Sequence, residues 1–200
     1  SAQQIRRLLA EKAVQLTDSA GLSSWHCLFT EAQDRQLLAG LGLMPRSTCQ
    51  FHWLNRGYRD FEDFLAALSS KKRKQVKRER RQVQDQGIDI EVLSGAEVTP
   101  AQGRVFDDFY WSTFHRRWGS PRLTLAFFRD LGERLPARTL LILASHGGEY
   151  VAGAFALIGG DTLYGRHWGC SEYYAFLHFE LCYYQTIEYC IRHGIDRVDA

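Results

Sequence analysis

Ile5, Leu8, Leu9, Ala13 and Leu16 recur at helical spacing and predict an amphipathic helix over residues 4–17, broken by Asp18-Ser19-Ala20-Gly21. Trp25-His26-Cys27-Leu28-Phe29 reads as a short strand. Thr30 then suits a helix N-cap, with Gln33 three residues on as in a capping box, and that helix runs to Gly40. Residues 47–54 alternate loosely and are rich in β-formers, which predicts a strand. From Asp60 the period returns to helical, with Phe61, Phe64, Leu65 and Leu68 on one face and Ser69-Ser70 as a break or fresh N-cap. The pattern continues to about Gln86 with Val76 and Val83 as its only apolar stripe, and Gly87 fits the C-terminal cap.

The second half reads differently. Residues 88–93 alternate as a strand, and 101–118 and 124–135 read as helices separated by Trp118-Gly119-Ser120-Pro121. Strands are expected over 139–145, 150–158 and 162–169, joined by His146-Gly147-Gly148-Glu149 and Gly159-Gly160-Asp161 as a β-meander. Residues 176–193 predict a helix apolar on most sides, buried against the sheet, with Glu180, Glu188 and Arg192 as its formal charges. Gly194 ends it, and Ile195 to Ala200 begins another strand. This order is an α/β arrangement.

Composition adds limits. The chain has 200 residues, 45% hydrophobic and 24% charged, enough for a buried core and unlike a disordered chain. No apolar run reaches the length of a membrane span, and the N-terminus has no signal-peptide core. Cys27, Cys49, Cys170, Cys182 and Cys190 are scattered, odd in number and form no C-x-x-C pair, which points to a reducing compartment rather than a disulfide or zinc framework. The histidines show no ligand-like spacing, so no metal is expected, and no G-x-S-x-G, H-E-x-x-H, Walker A or Rossmann fingerprint is present.

Charge is concentrated. Residues 71–81 hold eight basic side chains and one acid, whereas the whole chain is only +2, so the rest is mildly acidic. Lys71, Lys74, Arg78 and Arg81 follow helical spacing and project as a stripe of cations. That stripe is either a solvated helix face or a phosphate-binding surface; without interleaved aromatics it does not stack bases. In the third meander strand, alternation puts Tyr164, Arg166 and Trp168 on one face and Leu163, Gly165, His167 and Gly169 on the other. Glycines in a strand mark close approach by a ligand or another backbone, and a partly buried Arg166 needs an anionic partner. His178 and Glu180 open the last helix, where the dipole favours an ionised Glu180, as a base or as a simple cap. Tyr110 and Trp111 lie before the Trp118 turn and are either core aromatics or part of an acceptor loop.

Four segments carry a resemblance: 69–81 (SSKKRKQVKRERR), Arg117-Trp118-Gly119, 161–170 (DTLYGRHWGC) and 177–185 (LHFELCYYQ). They resemble the FemAB-like proteins of the GNAT-like acyltransferase superfamily, in the subgroup described as peptidoglycan biosynthesis or recognition proteins. The resemblance implies an α/β, GNAT-like acyl-CoA N-acyltransferase fold, with parts of two tandem domains and a mixed, largely antiparallel sheet. Residues 1–58 would be the C-terminal part of a first domain, 59–87 a basic helical connector, and 88–200 the N-terminal part of a second. Ordinary GNAT enzymes hold coenzyme A on a glycine-rich loop after the fourth strand. Here Cys170-Ser171-Glu172-Tyr173-Tyr174-Ala175-Phe176-Leu177 stands there, with no glycine and a negative charge, which argues against standard coenzyme A binding.

The resemblance implies a cytoplasmic acyl- or aminoacyl-transferase acting on an amine of a cell-wall precursor. Aminoacyl-tRNA or acyl-CoA would be the donor substrate, and no cofactor would be tightly bound. Lys71, Arg73, Lys74 and Arg78 would hold the phosphate of a tRNA or lipid-linked precursor, with Tyr110, Trp118 and Trp168 also lining the substrate site. Arg166, His167 and Glu180 would lie near the reacting centre. A non-catalytic module binding polyanions or cell-wall fragments fits the same residues. The order of elements also leads us to expect an excerpt of a longer protein. In it, segment 1–55 lends strands to the 88–200 sheet, or two chains complete each other as a homodimer.

Overall fold

The apolar run Leu140-Leu141-Ile142-Leu143-Ala144 is at most 3% exposed, so both faces of its strand must be covered. That requirement sets the architecture: one sheet with helices on each side. The computed structural model describes residues 1–115 and 120–199, which separate into two compact units, 1–50 and 51–200.

In the second unit six strands make a mixed sheet in the order β1-β6-β5-β4-β3-β2. They are β1 (His52–Leu54), β2 (Ile88–Ser94), β3 (Thr139–His146), β4 (Glu149–Gly159), β5 (Thr162–Cys170) and β6 (Arg197–Asp199). Every pairing is antiparallel except β5 with β6. The meander of β3, β4 and β5 forms where alternation and the glycine turns place it. β1 pairs with β6 within one chain, so the 1–55 segment does contribute a strand to this sheet. The expected strand over 47–54 is shortened to its last three residues.

One face of the sheet is covered by α3 (Phe61–Ala66), α4 (Ser70–Asp85) and the helical stretch 177–193, around Leu65, Val83, Ile142, Leu163, Leu177 and Leu181. The other is covered by α5 (Pro100–His115) and α6 (Leu125–Arg134), around Phe106, Tyr110, Phe128, Leu143 and Phe155. Each such side chain contributes about 1.5–3 kcal/mol through burial. Ser69 caps α4 by accepting from the Lys72 N–H at 3.4 Å, which resolves the break at Ser69-Ser70 in favour of a new helix. Gly87, at φ +72°, follows its end in the left-handed conformation that glycine adopts without strain. The unit division falls before Phe51 and places α3 and α4 with the sheet.

The first unit holds α1 (Ala2–Ser19) and α2 (Ala32–Gly40), tied by Arg6 to Asp34 at 3.3 Å. The expected strand 25–29 does not form, and Phe29, at its end, turns to φ +56°. The capping box expected at Thr30 is also absent. Glu31 caps α2 without a side-chain bond, and the reciprocal capping pair is Ser1 with Gln4 at the start of α1.

β5 carries a bulge: Phe155 pairs with His167 and Ala156 with Gly165, leaving Arg166 as the extra residue. Strict alternation therefore fails there. Tyr164 and His167 share the α5/α6 face, and Leu163 and Trp168 share the α4 face, instead of Tyr164, Arg166 and Trp168 standing together. The expected single helix over 176–193 is three pieces: α7 (Leu177–Phe179), a π-helical turn (Glu180–Tyr184) and α8 (Gln185–His193). Such turns recur at functional sites in helices.

Candidate functional site

α4 has two unlike faces, because its apolar positions are too few to set its orientation alone. Val76, Glu79 and Val83 are buried, and Arg80 is half-buried beside them. Lys71, Lys74, Arg78 and Arg81 point to solvent, and Arg73 is half-buried at the margin of the packed face. The predicted cationic stripe is thus an exposed surface. Lys77, next to it, is drawn aside to Glu62 at 2.6 Å.

The inward polar residues form a network that pattern reading did not anticipate. Arg80 Nε donates to Glu180 Oε1 and Oε2 at 3.1 and 3.3 Å, and its Nη2 reaches Glu188 at 2.8 Å. The guanidinium lies 4.4 Å over the Phe61 ring. Gln185 donates to Glu180 Oε1 at 2.8 Å. Glu79 accepts from the Tyr184 hydroxyl and from Gln75 at 2.8 Å. Burial works against the Arg80 cation, but the two glutamates outweigh it and leave its pKa raised. Burial, with Glu79 beside it, pushes the Tyr184 phenol far up, so Tyr184 is a donor here and never a phenolate near neutrality. Glu180 is only 3% exposed. Held by the Arg80 guanidinium and the Gln185 amide, Glu180 is a joint between α4 and the π turn.

The structure separates the three residues expected around a reacting centre. Glu180 lies on the α4 side of the sheet. His167 lies on the other side, its ring 4.9 Å from Tyr110 and 6.1 Å from Phe128. Burial, and then the neighbouring Arg166, hold the His167 pKa below the ordinary imidazole value, so the ring is neutral at pH 7. Arg166 is exposed rather than partly buried. It lies 4.8 Å over Tyr164 and donates to its neighbour's carbonyl, Gly165 O, at 3.1 Å. Tyr110 is a core residue, 2% exposed, and its hydroxyl accepts from the Arg122 and Leu123 N–H groups at 3.2 Å each. Trp118 lies outside the described residues.

What gathers is an edge and a shelf. β6 pairs with β5 only at Thr162, Leu163 and Tyr164, so among the described residues the stretch 165–170 of β5 has no strand beside it opposite β4. Side chains serve several of its carbonyls instead. Thr113 Oγ1 donates to Trp168 O at 2.9 Å and Ser112 Oγ to Cys170 O at 3.4 Å. Next to this stretch, Trp168 meets the His178 ring edge-on at 5.1 Å, and His178 in turn meets Phe179 and Tyr183. Phe179 and Tyr183 are 49% and 36% exposed, wide open for residues of their size. Burial lowers the His178 pKa, leaving a neutral imidazole. Such a shelf offers an open aromatic surface, and a neutral imidazole beside it has a nitrogen able to accept a proton. Phe179 and Tyr183 were not singled out from the sequence; four residues apart, they read as one more apolar pair of a buried helix.

The loop 170–177 is tied in part to the rest of its own protein. The Ala175 N–H donates to Gln86 Oε1 at 3.2 Å, and Gln86 Nε2 returns to Ala175 O at 3.2 Å. The Ser171 and Leu177 N–H groups bond to Val151 O and Tyr174 O. Phe176, at φ +65°, leads from this loop into the helical stretch 177–193.

A family model described as FemAB-like, peptidoglycan biosynthesis/recognition, matches residues 1–200. No curated protein matches. Among solved structures, FemX aligns with a TM-score of 0.56 at 13% identity, covering 99% of this chain and 68% of its own. L-PGS from Bacillus licheniformis aligns with a TM-score of 0.53 at 11% identity, covering 85% of this chain and 50% of its own. The chain thus spans about half of L-PGS and two thirds of FemX. Together with the mixed sheet, these likenesses make the fold GNAT-like.

Proposed function

From the premise that the chain belongs to the FemAB-like family, we propose that it takes part in acyl or aminoacyl transfer to an amine of a peptidoglycan precursor. The family match along the whole chain carries this reading, and the surfaces just described support it. Lys71, Lys74 and Arg78, with Arg73 at their margin, bind phosphates of the donor or acceptor. The aromatic shelf of Trp168, Phe179 and Tyr183 packs against a ring of the same ligand. Backbone N–H groups along residues 165–169 of β5, beyond the pairing with β6, stabilise the oxyanion as the amine attacks the activated carbonyl. The test is transfer by the full chain from aminoacyl-tRNA or acyl-CoA to a precursor bearing a free amine. Turnover supports the reading; binding without turnover for every donor replaces it with a polyanion-binding module.

Between the donors, aminoacyl-tRNA is favoured. The loop 170–177 carries Glu172 and no glycine, and the N–H groups of Ser171, Ala175 and Leu177 are bonded within the protein, so acetyl-CoA is expected to bind with a dissociation constant well above the micromolar range. Calorimetry showing micromolar binding would restore an ordinary acetyltransferase. No helix among the described residues is long and apolar enough to cross a membrane. A cytoplasmic site of action remains part of the proposal.

Reversing Lys71, Arg73, Lys74 and Arg78 to Glu is expected to abolish polyanion binding and leave the circular dichroism spectrum unchanged, since the buried anchors of α4 are Val76, Glu79 and Val83. For the unmodified chain on single-stranded RNA, the logarithm of affinity should fall with that of salt by about 0.7 per phosphate contacted. Undiminished binding of the reversed variant at low salt removes α4 from the site.

A further inference from the structure

On the other side of the sheet, between the start of α5, the body of α6 and the strands, lies a cleft of about 500 Å³. That volume falls within the ordinary range of small-molecule pockets. Its walls include Phe106, Phe128, Leu141 and Phe155, all core residues of this face.

Two of its lining residues are helical glycines, Gly103 in α5 and Gly132 in α6. Glycine inside a helix costs stability relative to alanine, so it calls for a reason. Close packing is not that reason. A Cβ on Gly103 would meet nothing within 4 Å, and one on Gly132 only the Gly95 carbonyl at an ordinary 3.5 Å. Neither has a positive φ. What the missing side chains leave open is the cleft.

Charge at the rim has a direction. Thr99 and Pro100, at the N-terminus of the sixteen-residue α5, line the cleft, and the helix dipole makes that end positive. Arg104 stands one residue after Gly103, with no carboxylate in ion-pair range among the described residues. Arg129, also at the rim, is engaged by Asp130 at 3.6 Å and Glu133 at 3.7 Å, so the acid present there is already paired. We infer that this cleft binds a single-chain amphiphile with an anionic headgroup. The alkyl chain lies against Val98, Leu125 and Pro136, over a floor formed by the core residues Phe106, Phe128, Leu141 and Phe155, and the headgroup meets Arg104 and the start of α5. The site lies on the opposite face of the sheet from α4 and the aromatic shelf, so it stands or falls apart from the transfer reaction.

The experiment is calorimetric titration of the full chain with dodecyl phosphate, dodecanol and dodecyltrimethylammonium, each below its aggregation concentration. Dodecyl phosphate should bind with a micromolar dissociation constant, dodecanol about fivefold more weakly, and the ammonium more weakly still. Gly103→Leu fills the cleft and should weaken dodecyl phosphate at least about tenfold while raising the melting temperature, which separates a blocked site from a misfolded one. Arg104→Gln should weaken dodecyl phosphate to the level of dodecanol and leave dodecanol unchanged. No binding of dodecyl phosphate, equal binding of the ammonium, or full affinity in the Gly103→Leu variant would each overturn the inference.

Discussion

Replacing Arg80 with alanine should lower the unfolding free energy by about 3–5 kcal/mol, the loss typical when one partner of a buried ion pair is removed. The cause is the residue left behind. Glu180 is 3% exposed, and without Arg80 only the Gln185 amide remains among its hydrogen-bonding partners. Denaturant titration measures the loss. Replacing both partners, Arg80→Met with Glu180→Leu, should recover most of it, because the penalty belongs to the orphaned charge rather than to the pair. Glu180→Gln separates a structural from a catalytic role. It keeps an acceptor for Arg80 and removes only the charge, so a structural Glu180 leaves any transfer rate within a few fold of the parent, while a base gives a loss of about 100-fold or more. A loss of under about 1 kcal/mol for Arg80→Ala would show that water reaches the pair and that the network does not anchor α4.

The second large effect is expected at Gly169, where a single methyl group has nowhere to go. A Cβ there would lie 2.1 Å from the Phe109 carbonyl oxygen and 2.5 Å from its carbonyl carbon, both backbone atoms of α5. Gly169→Ala must therefore push α5 away from β5. That motion also breaks the bonds from Thr113 to Trp168 O and from Ser112 to Cys170 O. The cost should reach about 3 kcal/mol, the upper end for overpacking, and appear as a lower denaturation midpoint or as insoluble protein. Gly103→Ala is the matched control: its Cβ meets nothing, so it should stabilise slightly. Equal midpoints for the two variants would mean that α5 is free to shift, and the close crossing would lose its structural role.

The glycine-containing strand illustrates how far local reading reaches. From the sequence, Gly169 implied close approach by a ligand or a backbone; the fold shows the backbone of α5. Deciding between the two required a contact sixty residues away, which no local pattern encodes. The same holds for Arg80. In the sequence it is one of eight basic residues in eleven, indistinguishable from Arg78 or Arg81 by type. Helical spacing from Val76 and Val83 could have turned it inward, but its partners lie one hundred and more positions on.

Periodicity and turn residues determined the meander and the two helices before it, and four motif segments carried the family resemblance. These are properties of short windows, where a pleat, a helical turn or a cap is set by neighbours within a few residues. The tertiary structure alone decided which face of β5 each side chain takes, because the Arg166 bulge arises from pairing with β4. It also decided that 177–193 contains a π turn, where Glu180 is held by Arg80, and that the stretch 25–29 forms no strand. Pairing, ion pairing and cleft formation each depend on what the rest of the chain brings alongside, and hydrophobic pattern specifies only that something must.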